Sequence, residues 1–333
     1  MPPTTVLPAP EGTLAPQSWR GQLQSSLLGS RLAGEPAAND IAPAPAVHTS
    51  RLRDRWPTTA ALLRLPGAVV GLLLLAVIVG IALTAGVFFP GDPLDIVAQP
   101  LLRPGEDAAF LLGTDHLGRD IAAGLAHGAR VSLLVGLTAA GVGVTVGTLI
   151  GATAGYFGGK VDAVLTWLIE VFQTTPSFLL VVVIVSITQS SLEVISVVIG
   201  LTTWETVARL IRAQFRALLS SDFVLAARSI GFGHRWIIAR EILPNALPPV
   251  VVTASVMVAG AILMESSLAF LGVGDANKVS WGSMIGGGRD MLRTAWYLTV
   301  IPGLALIVTV FSLNLIGDAL IEAMNPRLRG GAR

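Results

Sequence analysis

Three acidic side chains lie inside or beside long apolar runs of this sequence: Glu170, Glu265 and Asp318. An ionisable group is costly in a membrane interior, so each is a candidate for proton relay or ion coupling. Such chemistry needs several groups that converge on one path. Glu265 lies deepest by sequence, in AILMESSLAFLGVG, and we predict that it is a structural hydrogen-bonding group beside Ser266 and Ser267, with a place on the transport route as the alternative.

Motifs for nucleotide hydrolysis and covalent catalysis are missing. The phosphate-binding loop G-x-x-x-x-G-K-[ST] requires a lysine. The chain has only Lys160, followed by Val161, and Lys278, preceded by Asn277. Ser-His-Asp, H-E-x-x-H and C-x-x-C arrangements are also missing, and there is no cysteine to ligate zinc or iron. The sequence therefore predicts no catalytic site, metal site or cofactor on this chain, so any ATP hydrolysis would occur on another polypeptide.

The segments that must position these residues are long and apolar. Apolar residues make up 53% of the chain and charged residues 13%, which is typical of a membrane protein. The net charge of +1 gives no reason to expect nucleic acid as a partner. A helix that crosses a bilayer needs roughly 20 mostly apolar residues. The sequence therefore predicts an all-α polytopic protein with six transmembrane helices, at about 66–89, 131–156, 163–189, 192–213, 247–271 and 296–320.

The chain ends and the arginine distribution predict an orientation. Residues 1–55 are rich in Pro, Ala, Gly and Ser without hydrophobic periodicity, so we predict a disordered tail.

Arginines cluster before the first span, within 209–240 and at the chain end, and positive charge favours the cytoplasmic side. With six spans both termini are then cytoplasmic. The predicted divisions are a cytoplasmic tail (1–55), the first span with an external connection (56–130), a five-helix core (131–325) with a cytoplasmic loop at about 214–246, and a cytoplasmic C-terminal tail (326–333).

A row of glycines marks the second predicted span. The row consists of Gly143, Gly147, Gly151 and Gly155, which recur at every fourth position and therefore share one helix face. A face without side chains lets helix backbones approach closely in lipid. The pattern predicts helix packing within the chain, and it also suits a subunit contact or a moving gate.

Four separated motifs together resemble a known family. They are LGTDHLGRD followed by GARVSLLVGL, then AARSIGFGHRWIIAREILPN, then ESSLAFLGVG with SWGSMI, and finally PGLALIVTVFSLNLIGDALIEAMNPR. In this order they resemble the second permease subunit of ABC importers for dipeptides, oligopeptides and nickel, over nearly all of the chain except its N-terminal tail. The resemblance implies a type I importer permease fold in the bacterial inner membrane. It also implies as partners a related permease subunit, two ATPase subunits that carry ATP and Mg, and an external solute-binding protein.

The basic stretch from Asp222 onward resembles the cytoplasmic coupling loop of such permeases. The family pattern is E-A-A, three residues, Gly, nine residues, then I-x-L-P. Five residues match this spacing, whereas two depart from it: Leu225 replaces the glutamate and Glu241 replaces the first isoleucine. The resemblance implies that a short helix within 222–235 docks into an ATPase, with Ala227 and Gly231 on one face. The matching residues are Ala226, Ala227, Gly231, Leu243 and Pro244.

Three prolines end this stretch, and other functions remain open. Pro244, Pro248 and Pro249 are predicted to block helix continuation just before the fifth span, except in its first turn. A solvated basic loop that only sets topology is the alternative for the stretch. For the whole chain, the rival to a permease that imports short peptides is a self-sufficient, ion-coupled secondary transporter, and a third possibility is a membrane scaffold. A nickel chelate or a glutathione-like solute also remains open as cargo.

Overall fold

A computed structural model describes residues 62–63, 65–188 and 191–324 of the protein. Within these ranges the chain is helical and has no strand, because its two β-bridges are isolated. The predicted tails, residues 1–55 and 326–333, lie outside the described residues. The principal helices are α1 (Pro66–Phe88), α2 (Ile121–Phe157), α3 (Gly159–Thr174), α4 (Ser177–Ile187), α5 (Leu192–Leu219), α6 (Asp222–Ser229), α7 (Leu243–Phe270), α8 (Trp281–Gly288) and α9 (Tyr297–Met324).

The apolar helices agree with a polytopic membrane protein. Among the described residues, five helical segments are long and apolar enough to cross a membrane, namely α1, α2, α5, α7 with the turns before it, and α9. Helices α3 and α4 together make a sixth candidate. The predicted all-α fold with membrane-spanning helices is therefore confirmed.

The third predicted span, 163–189, is wrong as a single straight helix. Helices α3 and α4 meet at an angle of 85°. Thr175 has extended backbone angles, φ −84° and ψ 128°, directly before Pro176. A proline disfavours the helical conformation at the residue before it and lacks the N–H that would continue the ladder. The break therefore follows from the Thr175–Pro176 pair, which the hydropathy of the run does not reveal.

The helix that contains the second predicted span begins ten residues before that span. Asp120 is the N-cap of α2, and its carboxylate accepts a hydrogen bond of 2.9 Å from the backbone N–H of Ala122. Aspartate is among the preferred N-cap residues because it satisfies one of the free N–H groups of the first turn. Helix α2 then continues for 37 residues to Phe157 and ends before Gly158, whose φ is +66°. The segment before residue 131 is thus one helix with the span.

The prolines before the fifth span do not end the helix there, which corrects the prediction. Helix α7 begins at Leu243, so Pro244 occupies its first turn, and Pro248 and Pro249 lie inside it. A π-helical stretch, Ile237–Ile242, precedes α7 and continues the helical path from a short turn, His234–Trp236. Single turns of π-helix accommodate irregularities in the hydrogen-bond ladder. The wider π-helical turn, together with the position of Pro244 in the first turn of α7, allows the helix to continue through this stretch.

The connection between α1 and α2, which the sequence predicts to be the external segment, is compact. The hydroxyl of Thr114 donates to the carbonyl of Gln99 at 2.5 Å and accepts from the N–H of Leu102 at 3.0 Å. Gly113 and Gly118 have φ of +78° and +87°, a region that glycine enters without strain. The motif LGTDHLGRD therefore folds this segment onto itself beside the first turn of α2.

Candidate functional site

Helix α6 lies between two apolar helices and has one face anchored in the protein. Val224 and Ala227 are buried in a cluster that contains Phe215 of α5 and Ile237 and Ile242 of the π-helical stretch. The spacing of Val224 and Ala227, three residues, places both on one helix face. Helix α6 is therefore attached to the ends of two membrane helices by apolar packing.

The end of α6 corrects the prediction that Ala227 and Gly231 share a docking face. The helix ends at Ser229, and Gly231 follows the cap residue with φ +92°. The N–H of Phe232 bonds the carbonyl of Ala227 at 3.1 Å, and the N–H of Gly231 bonds the carbonyl of Arg228 at 3.0 Å. This pair of bonds is the Schellman motif, in which glycine adopts the left-handed conformation. Gly231 therefore terminates α6, while the small side chain of Ala227 faces inward.

The outer face of α6 carries exposed apolar side chains. Leu225 and Ile230 are 47% and 73% exposed, and Phe223 is also exposed. Asp222, Ala226 and Arg228 are exposed on the same short segment. The sequence alone did not lead us to Phe223 and Ile230. The three-residue spacing of Val224 and Ala227 marks the inner face of α6 and would have indicated that these two apolar residues lie outside it. Leu225, which replaces the glutamate of the family pattern, thus contributes exposed apolar surface.

The remaining residues of the pattern lie on the return segment towards α7. Glu241 belongs to the π-helical stretch, and its carbonyl accepts a hydrogen bond of 2.6 Å from the side chain of Asn245. Leu243 and Pro244, both partly buried, begin α7. These residues therefore support the stretch after α6 and do not belong to its exposed outer face.

The glycine row of α2 packs against α5. A methyl group added at Gly147 would lie 2.5 Å from the carbonyl oxygen of Trp204, and one at Gly155 would lie 2.8 Å from that of Arg212. Real Cβ atoms do not approach this closely, so only glycine fits. The four glycines face α5 at residues that are themselves spaced four apart, namely Gly200, Trp204, Ala208 and Arg212.

A charged cluster that sequence reasoning missed joins α3 to α5. Asp162 is buried at the start of α3, and its carboxylate pairs with Arg212 and Arg216. The two arginines are four residues apart and therefore lie on one face of α5. The four-residue spacing of these arginines, together with the acid Asp162 shortly after Gly158 and Gly159, was the feature of the sequence that pointed to this cluster.

The three intramembrane acids lie on different helices. Glu265 of α7 is 3% exposed, lies 3.4 Å from the hydroxyl of Ser266 and is within hydrogen-bonding reach of Ser280. The hydroxyl of Ser267 donates instead to the carbonyl of Leu263. Glu170 on α3 and Asp318 on α9 are exposed. In the part of the chain that the structure describes, no group of three His, Asp or Glu side chains is placed to hold a metal ion.

The helices and their connections define a helical, multi-pass membrane protein. The chain belongs to the family of binding-protein-dependent transport system inner membrane components, whose model matches residues 147–330. The main functional prediction, a transport permease subunit, is thereby supported over the secondary transporter. As a member of this family the chain is a membrane subunit of a transporter and not itself the catalyst.

Curated relatives share much of their length with this chain. The di/tripeptide transport system permease protein DppC of Pseudomonas aeruginosa is 36% identical over 292 residues, which is 86% of this chain and 95% of that protein. The oligopeptide transport system permease protein OppC of Haemophilus influenzae is 36% identical over 264 residues, 79% of this chain and 85% of that protein. The predicted family resemblance is confirmed.

A solved structure shares the fold. An inward-facing conformation of the MetNI methionine ABC transporter aligns with a TM-score of 0.50 at 18% identity, covering 61% of this chain and 96% of that chain. At this identity the likeness concerns the fold alone. It supports the predicted importer-permease architecture.

Proposed function

We propose that this chain is the permease subunit of an ATP-driven importer that moves short peptides into the cytoplasm. The names of the relatives, di/tripeptide and oligopeptide permeases, support the cargo. The chain pairs with a second, related permease, receives cargo from an external solute-binding protein and is driven by two separate ATPase subunits that bind ATP and Mg. Both of its termini face the cytoplasm.

The two-sided helix α6 is the observation that carries this proposal. An exposed apolar face is costly in water and is typical of a surface that another protein covers. The outer face of α6, defined here as Phe223, Leu225, Ala226 and Ile230, combines such side chains with the exposed charges of Asp222 and Arg228. We assign this face to the ATPase contact.

The inner face of α6 supplies the mechanical connection. Val224 and Ala227 pack with Phe215, near the end of α5, and with Ile242, directly before α7. Protein interiors are close-packed and transmit strain. A displacement of α6 by the ATPase therefore moves the ends of two membrane helices, which is what alternating access requires of a subunit without its own ATP site.

Charge substitution on the outer face tests the ATPase contact. Leu225→Asp and Ile230→Asp place a carboxylate where an apolar contact forms on docking, while the inner face remains intact. We expect normal amounts in the membrane, at least a tenfold loss of ATPase copurification, since interface anchors contribute about 2 kcal/mol or more, and loss of uptake. Leu292→Asp is the matched control, because Leu292 is 48% exposed, as Leu225 is at 47%, but lies between α8 and α9. Wild-type copurification in the Leu225→Asp, Ile230→Asp double variant would show that the ATPase docks elsewhere.

Uptake by the complete transporter tests the cargo. Cells that carry the permease with its own partner subunits are given a labelled dipeptide, a labelled tripeptide or a nickel chelate. We expect saturable uptake of the peptides and none of the nickel chelate. Uptake of the chelate without peptide uptake would overturn the peptide assignment and leave the permease role intact.

A further inference from the structure

Tyr156, at the last turn of α2, is held by the loop that follows α6. Its hydroxyl lies 2.7 Å from Nδ1 of His234, a hydrogen-bond distance. The two rings meet edge to face, with centroids 5.6 Å apart and planes at 82°. On the same ring, the guanidinium carbon of Arg228 lies 6.0 Å from the centroid, within the range of a cation–π contact. Tyr156 thus contacts α6 and the following loop through three separate interactions.

The environment keeps both partners in place. Tyr156 is only 8% exposed and belongs to the cluster that contains Val224 and Ala227. His234 begins the short turn before the π-helical stretch, and in the same loop the rings of Phe232 and Trp236 stack at 3.8 Å. His234 is exposed, so the hydrogen bond joins a buried ring to a loop whose stacked ring pair lies beside it. Any displacement of α6 therefore acts directly on the end of α2.

The other end of α2 lies at a cavity that the proposed topology places on the external side. Helix α2 has 37 residues without a break, which at 1.5 Å per residue corresponds to about 55 Å. Its first turn, through Ile121 and Gly124, lines a cavity of about 230 Å³. Leu117 and Arg119 of the external segment and Lys278 of the connection before α8 complete part of the lining. One uninterrupted helix thus joins the loop after α6 to this cavity.

We propose that Tyr156 is a positioning residue that transmits the movement of α6 to α2 through its bond to His234, and that α2 carries this movement to the external cavity. The inference rests on the proposed function, because it takes the ATPase to act on α6. In this mechanism the outer face of α6 determines whether the ATPase docks. The Tyr156–His234 bond determines how much of each ATP-driven movement reaches the external side.

Removal of the Tyr156–His234 bond alone separates docking of the ATPase from transmission of the movement to α2. Tyr156→Phe keeps the ring and its packing but removes the hydroxyl, and His234→Leu removes the partner. In the intact transporter reconstituted in lipid, we expect both variants to retain ATPase copurification and ATP hydrolysis. Peptide uptake per ATP hydrolysed should fall about 2- to 30-fold, the range in which residues of a coupling network act. The double variant should be no worse than either single variant, because the same bond is lost.

Two further variants distinguish this role from a merely structural one. His234→Asn places a polar atom near the position of Nδ1 and should restore uptake per ATP, but not in a Tyr156→Phe background. Tyr297→Phe is the matched control, since the hydroxyl of Tyr297 is buried without a hydrogen-bond partner among the described residues. It should leave uptake per ATP at the wild-type value. Equal losses for Tyr156→Phe and Tyr297→Phe would overturn the inference.

A label at the cavity tests transmission without measuring transport. The chain has no cysteine, so Leu117→Cys, at a residue that is 40% exposed at the cavity, gives one reactive thiol on this chain. We expect its alkylation rate to change when a non-hydrolysable ATP analogue binds the complex, and Tyr156→Phe to abolish that change. An unaltered change in Tyr156→Phe would overturn the inference while the proposed function stands. Retained ATPase binding in the outer-face double variant would instead overturn the proposed function.

Discussion

The carboxylate of Asp162 accepts two hydrogen bonds from the guanidinium of Arg212, from Nε at 2.5 Å and from Nη2 at 2.9 Å. This two-point contact matches the planar fork of arginine to the two carboxylate oxygens. Nη2 of Arg216 bonds the same carboxylate. Asp162 is buried at the start of α3 and both arginines lie on α5, so one acid joins the two helices where α3 leaves α2.

Loss of this acid should loosen the junction. Asp162→Ala removes the carboxylate that pairs with both Arg212 and Arg216 and leaves only the weaker electrostatic interaction of Glu170 with Arg212. Their side chains are 25% and 49% exposed, so water offsets part of the loss, and we expect a cost of about 1–3 kcal/mol. Thermal unfolding of the purified subunit in detergent measures it. Glu193→Ala, at an exposed acid in the first turn of α5, should change little. Equal melting of the two variants would refute the assigned role.

The glycine row predicts a position-specific packing defect. Gly151→Leu drives a side chain into the backbone of Ala208, and overpacking typically costs about 1–3 kcal/mol. Gly147→Leu should act in the same way against Trp204. Gly141→Leu is the matched control, because a side chain on Gly141 meets nothing within 4 Å. The yield of monodisperse protein should fall in the first two variants only; a similar yield in all three would contradict the packing.

Gly231 should respond to backbone strain and not to side-chain volume. A side chain at Gly231 meets nothing within 4 Å, but φ is +92°. The left-handed region costs an ordinary residue about 1–2 kcal/mol. Gly231→Ala and Gly231→Trp should therefore reduce ATPase copurification to a similar degree, and Gly231→Asn less, since asparagine tolerates this region. Gly233→Ser, at φ −71°, is the control. A defect in Gly231→Trp without one in Gly231→Ala would show that volume decides.

The orientation of the chain is testable with single cysteines. We expect Lys160→Cys and Arg235→Cys, both at exposed residues, to react only with a membrane-permeant reagent. Asp107→Cys and Asn277→Cys, also at exposed residues, should react with an impermeant reagent in whole cells. The reason is the bias of arginine toward the cytoplasmic side. Reaction of Arg235→Cys with the impermeant reagent in intact cells would reverse the topology and remove the ATPase contact.

Glu265 should tolerate loss of its acidity. Glutamine keeps the shape of the side chain and its capacity to bond Ser266 and Ser280, so Glu265→Gln should preserve uptake within about twofold. Glu265→Leu leaves both hydroxyls without this partner and should destabilise the helix packing by about 1–3 kcal/mol. Uptake of labelled peptide and thermal stability are measured together. Abolished uptake in a stable Glu265→Gln variant would return ion coupling as the explanation.

Hydropathy was sufficient to predict that the apolar helices exist, but not where they begin or break. Long apolar runs predict spans because lipid requires them, whatever the tertiary structure. The bend at Thr175–Pro176 and the start of α2 at Asp120 depend on single residues inside or outside such runs. Pro248 and Pro249, read as helix breakers, are accommodated within α7. The rule that proline ends a helix therefore failed where the neighbouring turns could change their hydrogen bonding.

The loop after α5 was located by its pattern of small residues, but the direction of each side chain was not. The pattern placed Ala227 and Gly231 together, whereas burial separates them, with Ala227 inside and Gly231 beyond the helix end. Contacts between distant segments, such as Tyr156 with His234, have no signature in a single sequence, and the spacing of Arg212 and Arg216 does not by itself identify Asp162 as their partner. They depend on how α2, α3 and α5 pack, which only the folded chain specifies.

The crossing of α2 and α5 also sets an order of assembly during synthesis. Ala208 leaves the ribosome about 60 residues after Gly151, which at about 5–20 residues per second takes roughly 3–12 s. Throughout that interval the bare face of α2 is already made and its packing partner is not. A nascent chain that stalls before Gly200 therefore presents an unpaired glycine face to the insertion machinery.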